Sequence, residues 1–168
     1  MRILGVDPGT AVTGFGVLEQ TKNDYSVVDY GCIQLSSQKH FPKRLQIIYE
    51  EISGVINQYK PDEFAIEDLF YAENAKVALR MGHARGVALL AAVNHQIPTS
   101  EYSPREIKQS VVGNGAASKE QVQRMVQQLL RLNQIPEPFD ASDALAVAIC
   151  HLHHLESKYD LPRSRRNS

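Results

Sequence analysis

Hydrophobic and polar residues follow a β-strand pattern over the first part of the chain. Apolar stretches near 2–7, 13–19 and 25–34 are separated by short polar or glycine-containing segments. The third stretch places apolar side chains at nearly every second position, as a half-buried strand does. Because the connections are short, we expect these strands to pair in order as an antiparallel meander.

The spacing of apolar residues changes to three and four after Pro42. This helical period continues to Ile56, and Lys60-Pro61 ends the helix because a residue that precedes proline disfavours helical backbone. A short apolar run near 63–68 predicts a fourth strand, and the alanine- and leucine-rich residues 74–95 predict a long helix. This alternation of helix and strand is typical of an α/β protein.

One more strand and three more helices complete the predicted elements. Their expected ranges are 98–102 for the strand and 104–111, 118–132 and 140–157 for the helices. Ser118 and Gln121 have the spacing of a capping box, in which each side chain bonds to the other residue's backbone N–H. The predicted fold class is therefore α/β.

The length of 168 residues corresponds to one domain with a substantial core. We expect a single domain over residues 1–157, followed by a basic tail over 158–168 that contains Arg163, Arg165 and Arg166. The formal net charge is only −1, so the bulk charge does not predict nucleic-acid binding.

Positive charge is concentrated in one part of the chain. Between Asn74 and Gln134 there are eight basic residues and only three acids. The basic residues of this cationic lobe are Lys76, Arg80, Arg85, Arg105, Lys108, Lys119, Arg124 and Arg131. We interpret the lobe as a local surface for an acidic partner.

Cys32 and Cys150 lie in apolar surroundings and lack the spacing of a metal site. Buried thiols in a reducing cytoplasm explain them better than a disulfide framework does. No apolar run approaches the roughly 20 residues that cross a bilayer, and the N-terminus lacks a signal-peptide pattern. We therefore expect a cytoplasmic protein with no membrane association.

Two acidic residues follow buried strands directly. Asp7 closes the apolar run Ile3-Leu4-Gly5-Val6 before the turn Pro8-Gly9, and Glu67 closes the run Phe64-Ala65-Ile66. Open α/β sheets bind ligands at the carboxyl ends of their strands. Asp68 is expected to face the other side of the sheet, because side chains alternate along a strand.

Two more acids, Asp140 and Asp143, stand three residues apart at the start of the last helix and so share one face. Carboxylates suit hard divalent cations, and the four acids together predict a metal site. Clustered carboxylates repel one another, so at least one of their pKa values should be raised and should fall when metal binds.

Each acid also has a structural explanation. Asp140 precedes Ala-Ser-Asp as an N-cap does, and Asp143 would then interact with the helix dipole. Asp7 before Pro-Gly can form a turn. Glu67 is harder to explain in this way, because a carboxylate that ends an apolar strand is costly to bury unless it is paired or metal-bound.

Seven short motifs follow one another along nearly the whole chain. They are Ile3-Leu4-Gly5-Val6-Asp7-Pro8-Gly9-Thr10, Thr13-Gly14-Phe15-Gly16, Phe64-Ala65-Ile66-Glu67, Asn74-Ala75, Gly82-His83-Ala84-Arg85-Gly86-Val87, Lys108-Gln109-Ser110-Val111-Val112-Gly113 and Asp140-Ala141-Ser142-Asp143-Ala144-Leu145-Ala146. Any one motif is weak, but the ordered set resembles the RuvC-type Holliday-junction resolvases. The resemblance implies a ribonuclease-H-like fold with a mixed five-stranded sheet and helices on both faces.

The resemblance also implies a chemistry. It assigns Asp7, Glu67, Asp140 and Asp143 as catalytic acids and metal ligands, and Lys108 and Lys119 to the junction chemistry. Two Mg²⁺ ions, or Mn²⁺ in their place, would support hydrolysis of a phosphodiester to 5′-phosphate and 3′-hydroxyl ends. Without the resemblance, Lys119 would be interpreted as a solvated helix end.

Contacts with DNA and with other proteins follow from the same resemblance. Phe70 would stack on an unpaired base, Tyr71 would be a second contact, and Lys76 and Arg80 would bind phosphates. For either aromatic residue, a place at the edge of the core is an equal alternative. A homodimer would place two active sites on a four-way DNA junction, with a branch-migration helicase complex of the RuvA and RuvB type as a further partner.

The long helix over 74–95 carries small residues at positions 75, 78, 82 and 86. Each glycine costs a helix about 1 kcal/mol relative to alanine. Close packing against the sheet, a second subunit or DNA would offset this cost.

Three further functions stay open on the sequence alone. Asp7-Pro8-Gly9-Thr10 followed by Gly14 also resembles the first phosphate loop of sugar kinases and actin, which would indicate an ATP-binding phosphotransferase. The chain lacks the length for the two large domains of those proteins. The second function is junction binding without cutting, and the third is cleavage of a different branched or RNA-containing substrate.

Overall fold

The computed structural model of the chain describes residues 1–22, 24–68 and 74–160. The strands are β1 Arg2–Asp7, β2 Val12–Gln20, β3 Tyr25–Gln34, β4 Glu63–Glu67 and β5 Thr99–Tyr102. The helices are α1 Phe41–Tyr59, α2 Ala75–Asn94, α3 Pro104–Val112, α4 Lys119–Leu129 and α5 Phe139–Asp160. Every predicted strand and helix is present, and the ends differ by a few residues.

The five strands form one sheet in the order β3-β2-β1-β4-β5. β2 pairs antiparallel with both β1 and β3, which confirms the predicted meander. β4 pairs parallel with both β1 and β5; α1 leads from β3 into β4, and α2 connects β4 to β5. The predicted mixed five-stranded sheet is therefore confirmed.

Helices cover both faces of the sheet, as predicted. α1 and α2 enclose one core, to which the strands contribute Leu4, Val6 and Ile66. α3, α4 and α5 enclose the other core, which includes Ile3 and Ala65. Odd-numbered residues of β1 and β4 therefore face α5, and even-numbered residues face α1 and α2.

Two glycines of the central strands let α5 lie directly on the sheet. A Cβ atom on Gly5 would lie 2.8 Å from the backbone nitrogen of Ala148. A Cβ atom on Gly14 would overlap the carbonyl oxygen of Asp140. The helix backbone can approach this closely only because these positions lack a side chain. As a result, the first turn of α5 meets the carboxyl end of β1.

The start of α5 decides between two explanations of Asp140. The carbonyl oxygen of Pro138 accepts hydrogen bonds from the backbone N–H groups of Ala141 and Ser142, so the helix begins at Phe139. Asp140 consequently lies inside the first turn. The explanation in which Asp140 caps the helix is wrong.

Two helix ends differ from the sequence prediction. α4 stops at Leu129, because Arg131 adopts a φ of 52° and the N–H of Leu132 bonds to the carbonyl of Gln127. α5 continues to Asp160, three residues beyond the expected end at 157. The predicted capping box at the start of α4 is confirmed.

Both cysteines are free thiols, with Cys150 buried and Cys32 half-buried. Burial raises the pKa of each thiol to about 11, which keeps it protonated at neutral pH. Among the described helices, none combines the length and the apolar character that crossing a membrane requires.

Candidate active site

The ends of β1 and β4 bring Asp7 and Glu67 together. These strands are parallel neighbours with Val6 opposite Ile66, so the next residue of each strand is Asp7 and Glu67. Both acids have odd numbers and face α5. Burial and the nearby negative charge of Glu67 both raise the pKa of Asp7, as expected for neighbouring carboxyl groups.

α5 supplies the other two acids. Its first two turns rest on β1 and β2, where Gly14 pairs with Asp7 in the strand register. Asp140 and Asp143 therefore project toward the ends of β1 and β4. All four acids line one cavity of about 350 Å³. The complete lining is Asp7, Pro8, Gly9, Glu67, Met81, Pro104, Ile107, Lys108, Lys119, Val122, Asp140, Asp143 and Ala146.

The loop after Asp7 is held from two sides. Thr13 is buried, and its hydroxyl accepts a hydrogen bond from the Gly9 N–H and donates to the Gly9 carbonyl. From α1, Arg44 donates to the carbonyl oxygen of Thr10 at 2.8 Å. These contacts fix the loop that forms one wall of the cavity.

Two carboxyl groups of the cavity, those of Asp7 and Asp143, have raised pKa values. Burial and the negative charge of Glu67 hold the pKa of Asp7 well above its ordinary value, and Asp143 and Asp140 add smaller effects. Burial is also the main reason that the pKa of Asp143 rises to about 6. Lys119 opposes that rise, with its Nζ 3.7 Å from an Asp143 oxygen. A raised carboxyl pKa in this cluster agrees with the sequence prediction.

The donor set of the cavity suits a divalent cation. All four groups are carboxylates, whose oxygens are the hard ligands that Mg²⁺ and Mn²⁺ prefer. Among the described residues, no three His, Cys, Asp or Glu side chains are close enough together to hold one metal ion. The acids therefore fit the cation chemically, and they would have to move closer together to coordinate it.

Asp68 lies outside this cavity, as strand alternation predicts. It faces α2, where its carboxylate is 3.3 Å from Nη2 of Arg85. The same guanidinium contacts Glu101 of β5. Arg85 is thus neutralised by two acids and only 17% exposed, so counting it in the cationic lobe was wrong. A pairing across three elements cannot be predicted from local sequence.

The predicted DNA contacts divide into two groups. Lys108 and Lys119 line the acidic cavity. Lys76 and Arg80 are exposed on the first turns of α2 and do not line it, and the Arg80 guanidinium lies 5.1 Å from the ring centroid of Phe41.

Phe70 and Tyr71 lie outside the described residues, as do the arginines of the tail. The predicted contacts of Phe70 and Tyr71 with DNA remain predictions.

Met81 is a lining residue that the sequence prediction missed. It continues the stripe of Ala84, Ala88 and Ala92, which packs α2 against the sheet. The helical spacing of that stripe is the signal that could have placed Met81 near the end of β4.

The outer face of α2 is apolar, and the described residues leave it uncovered. Leu79, Leu90 and Val93 are 66%, 51% and 58% exposed. Between them, Gly82 and Gly86 have no described atom within 4 Å of a Cβ position. Gly82 and Gly86 therefore do not pack against the sheet, and for these two glycines that explanation from the sequence is wrong. A second subunit or DNA remains as the partner of this face.

Comparisons with known proteins agree with the geometry. A sequence profile of the family described as "Crossover junction endodeoxyribonuclease RuvC" matches residues 3–151. The protein of that name from Alkaliphilus oremlandii is 51% identical over 153 residues, which cover 91% of this chain and 93% of the relative.

Solved structures show the same similarity in three dimensions. RuvC from Thermus thermophilus has a TM-score of 0.84 and 30% identity, and the match covers 94% of this chain and 97% of that one. The structure of Thermus thermophilus RuvC in complex with a Holliday junction substrate has a TM-score of 0.85 and 27% identity, with 94% and 96% covered. The fold is ribonuclease-H-like, as predicted. The chain belongs to the RuvC family of crossover junction endodeoxyribonucleases.

Proposed function

We propose that this protein resolves Holliday junctions in DNA recombination and repair, by nicking two strands symmetrically. The observation that carries the proposal is one cavity that holds four carboxylates and two lysines. Family membership supports the activity, and a related structure contains a Holliday junction substrate. Together they favour a nuclease over a phosphotransferase or a protein that binds junctions without cutting them.

We further propose that Asp7, Glu67, Asp140 and Asp143 hold two Mg²⁺ ions, and that Mn²⁺ can replace them. When bound, such ions activate a water molecule and stabilise charge on the leaving oxygen of a phosphodiester. The raised pKa values of Asp7 and Asp143 support this assignment, because a neighbouring divalent charge would remove the repulsion between these groups.

The two lysines would act on the substrate. Lys119 starts α4 and is exposed, and its ion pair with Asp143 is long at 3.7 Å, so its ammonium group is available to a phosphate. Lys108, on α3, also lines the cavity. Placed in this way, the lysines would orient the scissile phosphate and stabilise the charge that develops on it. The products would carry 5′-phosphate and 3′-hydroxyl ends.

The outer face of α2 supports a homodimer. Large exposed apolar side chains on one helix face mark an interaction surface, and bare glycines let a second helix come close. We propose a second copy of the chain as the partner, because paired nicks at a four-way junction require two active sites related by a two-fold axis.

The remaining assignments rest on the family resemblance. We propose that Phe70 and Tyr71 contact unpaired bases, that Lys76 and Arg80 bind phosphates, and that a RuvA- and RuvB-type helicase complex cooperates with the enzyme. Residues 1–157 would form the nuclease domain and 158–168 a basic tail. We also propose that the protein is cytoplasmic, because relatives such as the protein from Alkaliphilus oremlandii are bacterial, and bacterial DNA lies in the cytoplasm.

A substrate panel tests the proposal. The protein would be incubated with a mobile four-way DNA junction, a linear duplex of the same sequence and an RNA–DNA hybrid, each in Mg²⁺ and in EDTA. We expect the protein to cut only the four-way junction, and only when Mg²⁺ is present. The products should be paired nicks that a ligase can seal. Preferential cutting of the hybrid would instead identify an RNA-directed nuclease. Tight junction binding without cutting in Mg²⁺ or Mn²⁺ would identify a structural protein.

A further inference from the structure

The side chain of Arg85 lies directly behind the active site. It extends from α2 to the carboxyl ends of β4 and β5, on the face of the sheet opposite the acidic cavity. There it contacts the carboxylates of Asp68 and Glu101. Asp68 follows Glu67 immediately in the chain, so Arg85 holds the residue next to a proposed catalytic acid.

Asp68 is held by its backbone as well. Its N–H donates a hydrogen bond of 2.7 Å to the carbonyl oxygen of Tyr102, which continues the pairing of β4 with β5. Its side chain is 46% exposed and makes the ion pair with Arg85 at 3.3 Å. Because neighbouring side chains of an extended chain point in opposite directions, fixing Asp68 toward α2 also fixes Glu67 toward the cavity.

Stability alone does not explain this arrangement. Arg85 is mostly buried, and neither its Nε nor its Nη2 makes a hydrogen bond among the described residues, so its contacts with Asp68 and Glu101 are ion pairs only. The carboxylates of Asp68 and Glu101 are 46% and 48% exposed, and burial of the guanidinium costs desolvation energy, so these ion pairs add little net stability. The contacts of one guanidinium with Asp68 and Glu101 do, however, orient both carboxylates toward α2, at the ends of β4 and β5.

We propose that Arg85 is a positioning residue for Glu67: by binding Asp68, it holds the end of β4 so that Glu67 points into the active-site cavity. The inference rests on the proposed nuclease function for its effect on cleavage. Its structural part, the ordering of the β4 end, can be tested separately.

The test compares Arg85→Gln, Asp68→Asn and the double variant with the wild type. Arg2→Gln is the matched control, because Arg2 makes a partly buried ion pair with Glu19 at the other end of β1. Single-turnover cleavage of the junction in Mg²⁺ and junction affinity in EDTA would be measured for each protein. Displacing a catalytic group by a small distance reduces the rate far more than the binding of substrate.

We expect Arg85→Gln and Asp68→Asn each to slow cleavage by about 10- to 100-fold, while junction affinity stays within about threefold. The double variant should be no slower than either single variant, because both remove the same contact. Arg2→Gln should cut at nearly the wild-type rate.

Hydrogen exchange of the Asp68 amide gives a readout that does not depend on activity. We expect exchange at this amide to accelerate in Arg85→Gln and in Asp68→Asn, with protection of the central strands unchanged. Wild-type cleavage together with wild-type protection of this amide in both variants would overturn the inference. The inference would also be overturned if Arg2→Gln lost as much activity as Arg85→Gln and Asp68→Asn, and if the loss in all three variants were proportional to the decrease in melting temperature.

If the wild-type protein fails to cut any junction, the proposed function fails, and the inference is then decided by the exchange data. Accelerated exchange limited to the end of β4 would support it, and unchanged exchange would overturn it.

Discussion

Gly14 of β2 lies directly beneath the carbonyl group of Asp140 in the first turn of α5, so closely that a Cβ atom would overlap the oxygen. Gly14 is also the register partner of Asp7. One missing side chain thus lets the helix that carries two of the acids reach the strand that carries a third. The convergence of the four carboxylates depends on this contact between backbones.

Substituting Gly14 should therefore damage both stability and activity. Gly14→Ala forces α5 away from the sheet, and we expect a loss of unfolding free energy of about 1–3 kcal/mol or more. Cleavage should fall further than stability predicts, because Asp140 and Asp143 move with the helix. Denaturant unfolding and single-turnover cleavage would measure the two effects.

Gly54→Ala is the matched control for this change. Gly54 lies in α1 and has no described atom within 4 Å of its Cβ position. Alanine there should stabilise the protein by about 0.5–1 kcal/mol without changing cleavage. If Gly14→Ala behaved like Gly54→Ala, the close approach of α5 would not be required for the site.

The pKa of Asp143 predicts a dependence of stability on pH. Burial is the main cause that raises this pKa from an ordinary 3.8 to about 6, so the folded protein binds the Asp143 proton more tightly than the unfolded chain does. Between about pH 4 and pH 6, rising pH should therefore destabilise the metal-free wild type relative to Asp143→Asn, by up to about 3 kcal/mol. Thermal unfolding of both proteins in EDTA across this range measures the difference.

The comparison with Asp143→Asn is needed because His151 acts in the opposite direction. Burial lowers the pKa of His151, so its contribution to stability is lost as the pH falls. That contribution cancels between the two proteins. Carboxyl-carbon NMR should show Asp143 titrating near pH 6 in EDTA and at least about one unit lower in saturating Mg²⁺. A titration that Mg²⁺ leaves unmoved would exclude Asp143 as a metal ligand.

Lys119 should act on cleavage more than on binding. Replacing it by methionine removes the cation 3.7 Å from Asp143, and the charge available to the phosphate, while the aliphatic length is kept. We expect cleavage to slow by about 100-fold and junction affinity to fall by less than about tenfold. Lys158→Met is the control, because Lys158 is exposed in the last turn of α5, and it should change neither cleavage nor junction affinity. Equal losses of junction affinity and cleavage would show that Lys119 binds a phosphate but does not act on the cleavage step.

The apolar face of α2 predicts the oligomeric state. Leu90 is 51% exposed there, and Leu90→Asp should convert a dimer into a monomer that remains folded. Ile135 is 39% exposed elsewhere on the surface, so Ile135→Asp is the control and should leave the dimer intact. Sedimentation velocity separates the species. A wild type that sediments as a monomer at micromolar concentration would contradict the proposed interface.

Much of the fold was predictable because its signals are local. The period of apolar residues, together with proline and capping signals, located the strands and helices, and strand alternation placed Asp68 on the face opposite Glu67. The acids could be recognised because each stands at a strand end or a helix start, where open sheets bind their ligands.

The rest depends on contacts between elements that are distant in sequence. The cap at Pro138, which excludes a capping role for Asp140, follows from how the preceding loop enters the helix. The neutralisation of Arg85 requires three elements to meet, and no local pattern carries that information. The close approach of α5 to Gly5 and Gly14 likewise depends on the position of the helix on the sheet, which the sequence of either strand does not indicate.

The most direct test of the central claim is a cleavage assay with the four acids changed one at a time. Wild type, Asp7→Asn, Glu67→Gln, Asp140→Asn and Asp143→Asn would be incubated with a mobile four-way junction labelled on opposite strands. We predict paired symmetric nicks by the wild type in Mg²⁺ and none in EDTA. Each variant should bind the junction within about threefold of the wild type and cut it at least about 100-fold more slowly. Cleavage by the wild type in EDTA would contradict a metal-dependent site. Cleavage at the wild-type rate by any one of the four variants would contradict a site built from these four carboxylates.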